Sequence, residues 1–253
     1  MEQILRHPLF LFLALFALMS LGSLGSIFLL RRKKRLDGAE LDDFNLVQGA
    51  TLTLLALLIG FSFSMAISRY DQRKNYEEEE ANAIGTEFLR ADLVSSDRRE
   101  KIRSLLKHYV QLRIDYYQTR DVKALAALAE QTNGQQAQLW AEIQQAAKEQ
   151  ATPIVALAVS GMNDVINTQG YTQAAWLNRI PVSAWILLIV IALICCMLVG
   201  YSARSQVGKS IFPLVLPAMV ALSMAMIADI DTPRGGLIRV VPQNLLSLQQ
   251  SLP

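Results

Sequence analysis

The chain has 253 residues, of which 52 % are hydrophobic and only 18 % charged, a balance too apolar for an ordinary soluble domain and indicative of a membrane protein. With 24 Lys+Arg against 22 Asp+Glu the formal charge is +2, which supplies no basic field for nucleic acid and excludes that partner class. The two cysteines, Cys195 and Cys196, are neighbours in an apolar run and cannot build a disulfide framework or a cysteine zinc site, and two histidines, His7 and His108, leave little for imidazole catalysis.

Hydrocarbon about 30 Å thick requires roughly 20 apolar residues at 1.5 Å rise per residue. Four segments qualify, at about 9–30, 46–67, 182–201 and 211–230. The first is read as a retained span and not a cleaved signal, because its apolar core is longer than the usual ~7 to 15 residues and no A-x-A cleavage pattern is evident. The links 31–45 and 202–210 are short, so the spans pair as two antiparallel hairpins, 1–67 and 181–230. Parity then puts the amino terminus, residues 68–180 and the tail 231–253 on one side of the membrane. Basic residues mark cytoplasmic loops. Arg31, Arg32, Lys33, Lys34 and Arg35 with Arg204 and Lys209 equal in number Arg6, Arg69, Arg73, Lys74, Arg179, Arg234 and Arg239 on the other side. The dense cluster at 31–35 leans the orientation towards the large domain outside.

Residues 68–180 contain no alternating strand pattern and read as a helical bundle, so the expected fold class is all-α. The second span has no proline between 46 and 94 and is expected to continue beyond the bilayer for roughly 70 Å. Asp97 and Glu100 have capping-box spacing ahead of a helix whose apolar positions are Ile102, Leu105, Leu106, Tyr109, Leu112 and Tyr116. Asp121 starts the next helix, which runs into the glutamine-rich stretch 131–150. Thr152 and Pro153 form a cap and first-turn proline for a helix to about Asn167, with a break at Gly170.

No Walker lysine loop, nucleophile elbow, H-E-x-x-H or dinucleotide fingerprint occurs, and no catalytic residues, metal ligands or cofactor are assigned. Gly22 and Gly25 with Ser20, Ser23 and Ser26 place small residues on one face of span one, suited to close helix packing. Glu77 to Glu80 spread over most of a helix circumference; a solvated surface is expected before a cation site. In span two, Thr53, Ala56, Gly60, Ser64 and Ser68 recur at steps of three and four residues and form one stripe. Such a stripe serves either close packing or, repeated around an axis, a narrow watery path gated by dewetting at the bordering Leu57, Phe61 and Met65. Arg69, Arg73 and Lys74 follow at once, as interfacial anchors or as an electropositive vestibule for anions. At the end of span four, Asp229 and Asp231 oppose the helix dipole and call for compensation by Arg234, Arg239 or a bound cation.

The strings GFSFSMAISRYDQRK, EANAIG, LRADL and DIDTPRGGLIRV resemble a bacterial bestrophin-like family of membrane proteins. The resemblance implies a homo-pentameric anion channel of the bacterial inner membrane, four spans per subunit, with lipid, its own copies and inorganic anions such as chloride as partners. It also implies that span two lines the axis, through Thr53, Leu57, Gly60, Phe61, Ser64 and Ser68, with Phe61 as the neck, and that the acidic turn at Asp229 and Asp231 takes part in calcium sensing. The chain departs from the pattern in lacking tryptophan at Tyr70 and Asp71, in the brevity of the acidic turn, and in the orientation, since bestrophins keep the large domain in the cytosol. The other reading is a non-conducting scaffold or sensor whose helical domain binds a partner.

Overall fold

The computed structural model describes residues 8–30, 36–203 and 211–253. The charged cluster at 31–35 and Arg6, His7, Arg204 and Lys209 lie outside the described residues. The regular elements among the described residues are all helical, in the order α1 (Pro8–Leu30), α2 (Ala39–Arg90), a single 3₁₀ turn (Ala91–Leu93), α3 (Ser96–Gln118), α4 (Val122–Glu149), α5 (Pro153–Leu177), α6 (Val182–Ser202), α7 (Phe212–Asp231) and α8 (Gln243–Ser251). Four helical stretches are long and apolar enough to cross a bilayer. The chain divides into two compact units, one formed by Met1–Ser68 with Arg179–Arg239, the other by Arg69–Asn178 with Val240–Pro253.

The first unit is the membrane part. In α1, Leu15 and Met19 pack with Leu55 of α2, Leu188, Ala192, Cys195 and Cys196 of α6, and Val220, Ala221 and Met224 of α7. Small residues set these approaches, as expected where lipid and side chains are equally apolar. A Cβ on Gly22 would strike Leu193, and one on Gly200 would strike the Ser23 backbone. Pro217 lies inside α7 and cannot donate to the carbonyl of Pro213 four residues back. The Ser23 hydroxyl donates to that carbonyl instead, at 2.9 Å, so a break in one spanning helix is satisfied by another. Ser26 likewise donates to the Met197 carbonyl at 2.8 Å. Leu9, Phe10, Leu21, Phe28, Ile186 and Met219 remain exposed, the apolar outer surface a bilayer requires.

The second unit is a bundle around Ile84, Phe88, Ile102, Leu106, Tyr109, Leu139, Ile143, Met162, Val165 and Leu245. Helix α2 begins beyond Gly38, whose φ of +52° suits glycine, and its 52 residues at 1.5 Å rise make it about 78 Å long. Asp121 caps α4, accepting the Ala124 amide at 3.1 Å, and Thr152 caps α5, accepting the Val155 amide at 3.3 Å.

Two local expectations are corrected. The cap of α3 is Ser95, without a side-chain cap bond, and Asp97 falls inside the first turn, because the preceding 3₁₀ turn sets where the helix starts. Helix α5 does not stop near Asn167; it passes Gly170 and ends at Leu177. A mid-helix glycine costs only about 1 kcal/mol, and burial of Thr172, Ala175 and Trp176 beyond it outweighs that.

Candidate functional site

The span-two stripe is defined by what it does not touch. Thr53, Ala56, Leu57, Gly60, Phe61, Ser64 and Ser68 are all exposed, and nothing lies within 4 Å of a Cβ built on Gly60. Leu55, Ser62 and Ala66 of the same helix are buried. At about 100° per residue the six positions Thr53, Leu57, Gly60, Phe61, Ser64 and Ser68 occupy an arc of about 100°, and the three buried positions cluster on the opposite side. One face of the span is therefore spent on the protomer's own core. The other presents hydroxyls and a glycine with Leu57, 52 % exposed, and Phe61, 67 % exposed, to whatever lies outside the protomer. Among apolar outer faces of this unit, that mixture of Thr, Ser and Gly is unlike the leucine-rich face of α1.

The basic segment after the span separates into unlike residues. Lys74 is exposed and Arg69 half-buried. Arg73, expected beside them in the vestibule, is instead 1 % exposed, with Nε donating to the Ala175 carbonyl at 3.3 Å and Nη2 to the Asn178 carbonyl at 3.1 Å. These carbonyls belong to the end of α5, where the last turn lacks amide partners and the helix dipole is negative. Arg73 caps this helix end.

The expected solvated face at Glu77 to Glu80 is also corrected. Glu78 and Glu79 are exposed, whereas Glu77 is 2 % exposed and Glu80 0 %. Glu77 receives the start of α8, accepting the Leu245 amide at 2.9 Å and the Asn244 side-chain amide at 2.6 Å. Burial raises its pKa, and these donors partly offset the rise. Glu80 pairs with the buried Arg113 and accepts from Tyr117 at 3.3 Å and Thr172 at 3.2 Å. Burial opposes the charge on Arg113, but Glu80 outweighs it and holds that guanidinium above its usual pKa. Tyr109 and Tyr117 are raised as well, by burial first and by the Glu80 charge second. The signal was present in the spacing: Arg73, Glu77, Glu80, Ile84 and Phe88 recur every three or four residues and share one face.

At the end of α7, Asp229 and Asp231 are each 5 % exposed. Asp231 accepts the Ile180 amide on both oxygens, at 3.2 and 3.0 Å. Asp229 accepts the amides of Leu237, at 2.9 and 3.1 Å, and Ile238, at 2.9 Å. Gly236, with φ of +77°, makes the return possible, since a Cβ there would overlap the Asp229 carboxylate. Backbone amides thus help to compensate carboxylates at the unfavourable end of a helix. Calcium takes six to eight oxygen ligands. Both oxygens of each carboxylate accept N–H groups, and no cluster of three or more His, Cys, Asp or Glu forms among the described residues.

A family model described as the bestrophin-like domain matches residues 14–245. No curated protein matches. Among solved structures, the crystal structure of a bacterial bestrophin homolog from Klebsiella pneumoniae, phased on zinc, is 17 % identical with a TM-score of 0.65, over 98 % of this chain and 100 % of that one. A point variant of the Klebsiella homolog matches with a TM-score of 0.66 at 17 % identity, over 97 % of each chain. The fold is thus shared along essentially the whole length.

Proposed function

The chain belongs to the bestrophin-like family, and from that membership we propose that it forms an oligomeric, anion-permeable pore in the bacterial inner membrane, with α2 of each copy at a common axis. The observation that carries this reading is the unburied arc of Thr53, Leu57, Gly60, Phe61, Ser64 and Ser68, opposite the buried Leu55, Ser62 and Ala66. In a lone subunit hydroxyls would face hydrocarbon. Around an axis the same hydroxyls meet water, while rings of Leu57 and Phe61 form a constriction that dries and closes. Five copies, the number the family resemblance implies, make a closed ring. Arg69 and Lys74 follow the stripe and concentrate chloride or a similar inorganic anion at the mouth, while Arg73 binds carbonyls at the end of α5.

Reconstitution of the purified protein in planar bilayers under a chloride gradient tests the reading. The expected result is an anion current that grows in Phe61→Ala, where the constriction is widened. No current in either protein would leave the non-conducting scaffold.

A further inference from the structure

Three acidic residues of α2 are fully or almost fully buried, and two have donors; Glu87 has none. It is 0 % exposed, and neither carboxylate oxygen meets a hydrogen-bond partner. The carboxylate lies against the backbone of α5 at Gly161, where a Cβ would overlap Glu87 Oε2 and also crowd the Arg90 guanidinium. The charges that face it are Arg90 on its own helix and Asp164, less than one turn beyond Gly161 in α5. On the 3₁₀ turn, Asp92 is engaged by Arg103 of α3 at 2.9 Å, and Arg103 in turn covers the Phe88 ring. An ionised carboxylate without donors is far costlier in such a place than a neutral acid.

We propose that Glu87 is a proton-operated latch between α2 and α5, closed while its protonated carboxyl lies against Gly161 and released when ionisation makes it seek water. Burial, the largest influence, outweighs the attraction of Arg90 and is reinforced by Asp164, pushing the Glu87 carboxyl from 4.5 up to about 8. The closed state therefore binds the proton more tightly than the open one. Closure is fully favoured below about 4.5 and weakens up to tenfold per pH unit as pH rises towards about 8; it then levels off, because both states are ionised. Neutral pH falls on the slope. The latch is a property of the bundle and stands or falls separately from conduction.

Spin labels at Asn82→Cys in α2 and Asn163→Cys in α5, both exposed positions, report the latch in the full-length protein in nanodiscs; Cys195 and Cys196 are buried and are verified as unlabelled. The expected result is one short label distance in acid, with a longer population growing as pH rises to 9 and absent at both extremes in Glu87→Gln. In the unsubstituted protein, the infrared C=O band of a protonated carboxyl should disappear with a midpoint near 8. An unchanged distance distribution across this range overturns the latch, as does the same opening in Glu87→Gln. Absence of any carboxyl band above pH 6 also overturns it, because Glu87 would then be ionised beside Arg90 throughout. If Glu87→Gln does not fold, the band and the distances in the parent protein decide the matter.

Discussion

Glu80 and Arg113 are 0 % and 1 % exposed at the side chain, so removing either leaves the other as a buried charge without its partner. Glu80→Ala and Arg113→Met should each lower unfolding free energy by about 3–5 kcal/mol, whereas the double substitution should lose less than the sum. Chemical denaturation in detergent followed by circular dichroism measures all three. Glu78→Ala and Glu79→Ala, one or two positions away but solvated, should change stability by no more than about 0.5 kcal/mol. That contrast separates a run of four like residues into two structural and two surface members. Gly236 is the other residue defined by its surroundings. Gly236→Ala must strain a φ of +77° and displace the Asp229 carboxylate from its amides, and it should cost about 1–3 kcal/mol in the same assay.

Helices in this chain are completed by other helices. The clearest case is Pro217 in α7, whose missing N–H is replaced by Ser23 of α1. Ser23→Ala should lower thermal stability by about 1–3 kcal/mol, while Ser223→Ala, whose hydroxyl bonds only within its own helix, should cost less. Such cross-helix debts explain what was legible in the sequence. The four spans and the all-α class are visible because bilayer thickness dictates a local, countable feature, an apolar run. The caps Asp121 and Thr152 are legible for the same reason, since the donor is three residues from the acceptor. For Arg73, Glu77 and Glu80 the shared face with Ile84 and Phe88 is legible but the partners are not, because those partners, a helix end or the Arg113 guanidinium, lie far away along the chain. Gly170 misleads in the opposite direction: its propensity is local, but the packing of Thr172 and Trp176 that overrides it is not. In the candidate site the stripe along α2 is legible from spacing, whereas the packing of its back at Leu55, Ser62 and Ala66 and the openness of its front depend on distant helices.

At the scale of the assembled molecule, the proposed pore makes a prediction that neither lipid contact nor simple packing shares. Phe61 is 67 % exposed in the protomer, so Phe61→Ala should leave protomer stability within about 0.5 kcal/mol while altering current. Leu55→Ala, at 2 % exposure, should cost about 2–5 kcal/mol by opening a cavity. Selectivity then depends on the charge at the mouth. If Arg69 and Lys74 of each copy focus anions, Arg69→Glu replaces one positive charge by one negative charge in every subunit, a ring of charge whose sign is inverted at that level. The reversal potential under a salt gradient should move towards the cation equilibrium value, and the movement should shrink as ionic strength rises, because the Debye length falls from about 10 Å at 0.1 M to about 3 Å at 1 M. A lipid-facing Arg69 would give no such salt-dependent shift, so an unchanged reversal potential at both concentrations would remove this residue from the path of the ion.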